Sequence, residues 1–458
     1  MNLTGTIETI FKKYLPSPFT IAVLLSLFTI LMALIFTEGN SSESHIVTIL
    51  KYWESGIWNS ALLVFAYQMM LILVLGHILV LSKPMSRLID KLVVFVRNSG
   101  SEVIIVAVST MLVSFFNWGL GLIFGAIIAR KIAEHAKENN IPVNYPILGT
   151  AGYSGLMVWH GGISGSAPLK VAESGHLSQL MEGMVSASVK SNIPDFISTG
   201  DTIFSASNLV IFAAVLVLVP FVLYRLNRNA EPTVLNLERF SLANDSDMAK
   251  NGADKLDRSP ILGILFGILI VFACFFQYAG MLSELTITPN FLNIFMFGIA
   301  ILLHGTFANF LKALDEAIKG TSGILIQFPM YFGIMGIMTG SGMVGELAGF
   351  FVSISNEVTL PLFTFFSAGL VNIFVPSGGG QWAVQGPVVI ESAIKLSVPL
   401  PKAVMALAYG DQLTNMLQPF WALPLLAITK LKASEILPYT LVIMLVGMGI
   451  YITGLLLF

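Results

Sequence analysis

Nine apolar segments set the strongest limit on what this chain can fold into. Most are about 20 residues long, the length that a helix needs to cross a hydrocarbon core of roughly 30 Å. Within such a core a helix pairs its own backbone N–H and C=O groups. The segments are residues 17–36, 58–81, 146–168, 203–224, 261–280, 290–304, 320–339, 402–427 and 436–457. The sequence therefore predicts an all-α polytopic membrane protein.

Composition supports this class. Hydrophobic residues make up 55% of the 458 residues, charged residues make up 11%, and the mean hydropathy is +0.82. A water-soluble globule of this composition could not cover its surface with polar groups. The net charge of -2 gives no reason to expect a nucleic-acid partner.

The first apolar segment superficially resembles a signal peptide, because it follows Lys12 and Lys13. A signal peptide has an apolar core of about 7 to 15 residues and ends in a small-residue cleavage site. This segment is longer and continues into the polar residues Thr37 and Glu38. We expect it to be retained as the first span.

Two further apolar regions are interrupted, and each could be a kinked span or a re-entrant hairpin. Residues 103–129 are broken at Asn117, and residues 358–390 are broken at Pro376 and Ser377. If both are hairpins and the amino terminus is cytoplasmic, 19 of the 24 Lys and Arg residues lie on the cytoplasmic side. The positive-inside rule favours that arrangement, and we expect a multi-pass protein with a cytoplasmic amino terminus.

An internal repeat is suggested by four matched residues. Gln68, Asn117, Tyr153 and Pro168 recur as Gln327, Asn372, Tyr409 and Pro424, at offsets of 259, 255, 256 and 256 residues. With the hairpins opening to opposite sides, the repeats are inverted, which is the usual plan of a secondary transporter. We expect a first membrane repeat at 1–224, a polar cytoplasmic linker at 225–259, and a linking span with the second, inverted repeat at 260–458.

The hairpin tips are the expected binding sites. A helix that begins inside the membrane directs free N–H groups and a positive dipole end at the tip, which suits a carboxylate. Glycines let an anion approach the backbone, and Ser377 adds a hydroxyl donor; the alternative is a helix break that serves packing alone. The expected substrate-binding residues are Ser377, Gly378, Gly379, Gly380, Gln381, Asn117, Trp118 and His160.

Glycine and proline also break two spans, Tyr153–Pro168 and Tyr409–Pro424. Asp411 is the most informative residue there, because a carboxylate in the membrane is costly and usually marks an ion or proton route. It could instead lie at the outer headgroup level, and His160 could be a helix-packing residue. The coupling cation, a proton or possible Na⁺, is expected beside Asn117, Ser377, Asp411 and Asn415.

Three motifs resemble the bacterial short-chain fatty acid transporter family of the ion transporter superfamily. They are Phe116–Gly121, Val375–Pro387 and Gln418–Pro424. The resemblance extends over almost the whole chain. It implies ion-coupled uptake of short monocarboxylates such as butyrate and acetoacetate, with a carrier of dicarboxylates, citrate or gluconate in the same superfamily as the alternative.

Other classes fit less well. The sequence contains no zinc-protease motif, no Gly-x-Ser-x-Gly elbow and no Walker A motif, so we expect neither an enzyme nor an ATP-driven pump, and no cofactor. A channel would normally use a symmetric ring of identical segments. The expected partners are the substrate, the cation and the bilayer, and a homodimer is left open.

Overall fold

The structure is a computed structural model that describes residues 13–38, 43–84, 87, 101–181, 193–233, 252–283 and 288–458. Every regular element in these ranges is helical, as predicted. The helices are α1 (Pro18–Phe36), α2 (His45–Ile57), α3 (Ser60–Leu81), α4 (Ser101–Phe116), α5 (Trp118–Glu138), α6 (Tyr145–Tyr153), α7 (Ser166–Ala172), α8 (His176–Leu180), α9 (Ala206–Asn229), α10 (Asp254–Asp257), α11 (Pro260–Ser283), α12 (Pro289–His304), α13 (Phe307–Ala317), α14 (Ser322–Gly340), α15 (Met343–Ser353), α16 (Leu360–Phe374), α17 (Gly378–Lys395), α18 (Leu400–Thr414), α19 (Pro419–Thr429) and α20 (Ala433–Leu457).

The long apolar helices coincide with predicted spans. Among the described residues, α1, α3, α9, α11 and α20 are long and apolar enough to cross a membrane. A sixth candidate is the pair α14 and α15, which are bent by 69° where they meet. Large apolar side chains such as Leu27 on α1 and Phe276 on α11 are exposed, as lipid-facing positions require.

The first interrupted region is a hairpin. Asn117 alone separates α4 from α5, and the two helices pack against each other. A Cβ on Gly125 would lie 2.7 Å from the Thr110 side chain, and these residues are about equally far from the break. Small residues thus allow the two arms to approach closely. Its orientation as a re-entrant loop stays a prediction.

The second interrupted region is also a hairpin, but side-chain amides join its arms. Gln381 Nε2 on α17 donates to Ala368 O on α16 at 2.9 Å. Gln385 Nε2 donates to Ser367 Oγ at 2.9 Å. All four residues are buried, where a paired amide is stable and an unpaired one is costly. Gln381, expected to bind substrate, therefore uses its amide N–H groups within the hairpin.

Both predicted broken spans contain short 3₁₀ turns. The first is α6, a 3₁₀ turn at Ser154–Met157, a non-helical segment at 158–165, and α7. The second is α18, a 3₁₀ turn at Asn415–Leu417, Gln418, and α19. Every residue of α6 is buried, as are residues 403–413 of α18. The broken spans therefore form the centre of the molecule.

Polar contacts join the two halves of the chain at the end of α19. Arg130 Nη1 on α5 donates to Ile428 O at 2.7 Å. The Tyr145 hydroxyl at the start of α6 donates to Thr429 O at 2.7 Å. These donors satisfy carbonyls that a helix leaves unpaired at its carboxyl end. Away from this centre, α2 packs on α14, and α3 packs on α12 and α13.

Several predictions lie partly outside the described residues. Residues 234–251 of the predicted linker are among them, and α9 extends into that linker as far as Asn229. Residues 85–86 and 88–100, which carry most of the basic loop after α3, are also outside. The division into inverted repeats stays a prediction.

Candidate functional site

Short polar side chains cap both hairpin tips. Asn117 Oδ1 accepts the N–H of Leu120 at 2.9 Å. Ser377 Oγ accepts the N–H of Gly380 at 3.2 Å. Both residues have the extended backbone typical of an N-cap. Ser377, and not Asn372, is therefore the geometric counterpart of Asn117, because Asn372 lies inside α16.

The second tip packs against the first broken span through Gly378. A Cβ there would lie 2.7 Å from Trp159 Cη2 and 2.9 Å from His160 Cε1. Gly379 differs, because it is exposed and a Cβ on it would meet only Ser166 Oγ, at 4.0 Å. Gly378 thus brings the backbone of the tip onto two aromatic rings. Gly379 leaves its backbone open to approach.

His160 and Asp411 form a buried pair that joins the two broken spans. His160 Nδ1 is hydrogen-bonded to Asp411 Oδ2, and both side chains are at most 1% exposed. The N–H of Ala167 donates to His160 Nε2 at 3.0 Å. Because Nε2 accepts, the proton of a neutral ring lies on Nδ1 and is donated to the carboxylate. The pair therefore has a fixed tautomer at the meeting point of the two halves.

Gln412 holds the backbone around His160. Its Oε1 accepts the N–H of His160 at 2.8 Å and that of Gly161 at 3.1 Å. Its amide donates to the Tyr451 hydroxyl at 3.0 Å. The non-helical segment 158–165 is thus fixed by a side chain from the opposite half. Sequence reasoning missed Gln412, although it adjoins the predicted Asp411.

Asn372 connects the second hairpin to the second broken span. Its amide nitrogen lies 2.7 Å from Asp411 O, 2.9 Å from Thr414 Oγ1 and 2.7 Å from Asn415 Oδ1. The amide of Gln418 donates to Asn372 O. Asn372 was noted in the repeat but not predicted as a site residue. Its position five residues before Ser377 was the sequence feature that could have identified it as a site residue.

Several polar atoms in this region are buried without a hydrogen-bond partner. They are Asp411 Oδ1, Asn372 Oδ1, Gln418 Oε1 and Asn415 Nδ2. Leaving such an atom unpaired costs about 1–3 kcal/mol. A bound ion or a proton would satisfy the three oxygens, whereas Asn415 Nδ2 is a donor. Three of the four are oxygens, the atom type that Na⁺ and a transferred proton both need. Asp411, Asn372 and Gln418 are therefore the candidate cation site, with Asn415 joined to it through Asn372.

The predicted site residues fall into two groups. Asp411 and Asn415 are joined through Asn372, and His160 is bonded to Asp411. Asn117 and Ser377 cap the two hairpins, while the backbone N–H of Trp118 donates to Ser164 Oγ at 2.9 Å.

Sequence comparison gives the family. The profile described as "Short chain fatty acid transporter" matches residues 1–458. The chain belongs to this family. It is 36% identical over 462 residues to a candidate short-chain fatty acid transporter of Escherichia coli (strain K12), covering 98% of this chain and 97% of the relative. A Haemophilus influenzae protein with the same description is 33% identical over 458 residues, with the same coverage.

Two solved structures share a weaker likeness. Neisseria gonorrhoeae MtrF, described among a class of antimetabolite efflux pumps, has a TM-score of 0.40 at 14% identity and covers 98% of this chain and 97% of its own. The Alcanivorax borkumensis YdaH transporter, described as having an unusual topology, has a TM-score of 0.44 at 15% identity and covers 96% and 97%. The predicted family, and with it a membrane transporter rather than an enzyme, is confirmed by the family match.

Proposed function

We propose that the protein takes up short-chain fatty acids such as butyrate and acetoacetate by cation-coupled alternating access. Its place would be a bacterial inner membrane, with the amino terminus in the cytoplasm. The observation that carries the coupling is the buried His160–Asp411 pair, because a carboxylate bonded to a histidine inside a membrane protein usually marks an ion or proton route.

The substrate carboxylate is proposed to meet the second hairpin tip. A helix amino terminus offers N–H groups and a positive dipole end to an anion. Gly379 leaves that backbone open, and the neighbours of the tip, Trp159, His160 and Ser166, carry no fixed positive charge. This environment suits one carboxylate better than a multiply charged acid.

The coupling cation is proposed to bind at Asp411, Asn372 and Gln418, beside Asn415, with Asn117 and Ser377 holding the adjoining tips. A proton on Asp411 Oδ1 would make it a hydrogen-bond donor to a neighbouring oxygen. A sodium ion would instead be coordinated by the unpaired oxygens. The two cations would therefore use the same atoms.

Uptake of labelled butyrate into proteoliposomes tests the proposal. An imposed Na⁺ gradient at constant pH is compared with a proton gradient in Na⁺-free buffer. Accumulation driven by one gradient, inhibited by excess acetoacetate but not by succinate, is expected. Inhibition by succinate would instead favour a dicarboxylate carrier, and equilibration without accumulation under both gradients would rule out cation coupling.

A further inference from the structure

Three tryptophans from three different helix breaks lie beside one another. Trp118 begins α5, Trp159 lies in the segment 158–165, and Trp421 lies in the first turn of α19. The ring centre of Trp118 is 5.9 Å from that of Trp159 and 5.2 Å from that of Trp421. The fourth break reaches this tryptophan cluster through Gly378, which packs on Trp159.

Two members of the cluster have buried N–H groups without a partner. The indole Nε1 atoms of Trp159 and Trp421 are buried and make no hydrogen bond. The two side chains are 4% and 5% exposed. An indole N–H can only donate, and a buried donor without an acceptor is unfavourable. Both are therefore free to donate to an acceptor supplied from outside the chain.

The surroundings of the cluster are aromatic. Phe65 lies 6.2 Å from Trp118 and 6.4 Å from Trp421, and Phe420 lies 5.0 Å from Trp421, all between ring centres. These rings offer apolar faces to a hydrocarbon chain. Donors without acceptors, set among apolar rings, match a small molecule with oxygen acceptors at one end and an alkyl body.

We propose that the tryptophan cluster, which adjoins the second hairpin tip through Gly378, binds both the oxygens and the alkyl chain of the transported monocarboxylate. The indole N–H groups of Trp159 and Trp421 donate to the oxygens of the substrate, and its alkyl chain lies against Trp118 and Phe65. This assignment rests on the proposed function and adds to it the residues that select a short apolar chain.

Substitution of tryptophan by phenylalanine tests the site, because it keeps an aromatic ring and removes the N–H. Trp159→Phe and Trp421→Phe are compared with Trp53→Phe as a matched control. Trp53 also has a buried, unpaired Nε1, but it packs against Gly333 in α14, outside the cluster. Each variant is measured by thermal unfolding with and without butyrate, and by the KM of butyrate uptake.

In the cluster variants, butyrate binding should weaken although the unliganded protein is no less stable. Removing an unpaired buried donor should leave the unliganded Tm unchanged or raise it. The KM for butyrate should rise about tenfold or more, since a hydrogen bond to a charged group is lost, and the stabilisation by butyrate should shrink. Trp53→Phe should leave both butyrate readouts unchanged.

Contrary results are distinguishable. A wild-type KM in both Trp159→Phe and Trp421→Phe, with normal uptake by the unmodified protein, would overturn the tryptophan site alone. An equal rise in KM in Trp53→Phe would also overturn it, because the effect would then not depend on the cluster. Absence of butyrate uptake and of stabilisation by butyrate in the unmodified protein would overturn the proposed function as well.

Discussion

Gly378→Ala should displace the second hairpin tip, although it adds only one methyl group. The new Cβ would lie 2.7 Å from Trp159 Cη2 and 2.9 Å from His160 Cε1, distances that real Cβ atoms essentially never show. Neither ring can yield easily. His160 is bonded to Asp411 and to the N–H of Ala167, and Trp159 stacks on His160 with ring centres 4.5 Å apart.

The size of the effect follows from packing energies. Forcing an extra methyl group into a well-packed site typically costs about 1–3 kcal/mol. With two ring contacts below 3.0 Å we expect the upper half of that range, about 2–3 kcal/mol. If the docked conformation of the tip is destabilised by this amount, the population of that conformation falls by roughly 30- to 150-fold. Uptake of labelled butyrate should decrease accordingly.

Gly379 supplies the matched controls. Gly379→Ala would place its Cβ 4.0 Å from Ser166 Oγ and should behave as the unmodified protein. Gly379→Val meets little protein but hinders a ligand, so it should abolish uptake without lowering the Tm. Initial rates in proteoliposomes and thermal unfolding are measured for all three variants. Unchanged rate and KM in Gly378→Ala would refute the docked tip.

Three further predictions concern charge and orientation. Asp411→Asn should impair gradient-driven accumulation more than substrate exchange, since exchange need not release the cation; unchanged accumulation would remove Asp411 from the coupling step. The pKa of Glu134 lies below its usual 4.5. Burial alone would raise it, but the hydrogen bonds from Arg130 and a neighbouring lysine stabilise the carboxylate more strongly. The stability that ionised Glu134 contributes is thus complete above pH 4.5 and is lost as the pH falls through the lowered pKa. Glu134→Gln should reduce the Tm at pH 7 and make the Tm less sensitive to acid. An unaltered dependence of the Tm on pH would contradict this. A cysteine at Glu138, in a Cys274→Ala background, should be labelled by a membrane-impermeant reagent only from the cytoplasm, and labelling from outside would exclude the predicted topology.

Local sequence predicted the positions of the helix breaks well. Asn117 and Ser377 favour an N-cap over a helix interior, so their effect is decided within a few residues. Apolar segment lengths likewise placed the long helices, because the hydrocarbon core fixes the length a span needs. Both signals depend on neighbours in the chain.

The hydrogen-bond partners could not be predicted in the same way. Gln381 is a polar residue next to a helix break and looks like a binding residue. Its amide N–H instead donates to Ala368 O and so joins α17 to α16. His160 is hydrogen-bonded to Asp411, 251 positions away in the sequence, and the Tyr153 hydroxyl donates to Asn415 O, 262 positions away. These pairings depend on how the broken spans cross in three dimensions. A pattern of neighbouring residues carries no information about that crossing. Asn117 and Asn372, matched in the predicted repeat, likewise make different contacts, since Asn372 bonds across elements and Asn117 caps its own helix.

The contacts at the end of α19 bear on how the molecule could move. Arg130 and Tyr145 come from the first half of the chain and hold the last carbonyls of a helix from the second half. Helices α5, α6 and α19 should therefore move as one rigid body. The surface along which this body slides would then face α2, α3, α12 and α13, and would not follow the boundary between the two halves of the chain. Ile127 and Ile428 line one small cavity. Cysteines introduced at both positions in a Cys274→Ala background and then cross-linked should leave uptake intact, whereas loss of uptake would place the sliding surface between the halves. The unit of motion would thus be assembled from both halves of the sequence, and neither half alone could carry the substrate across.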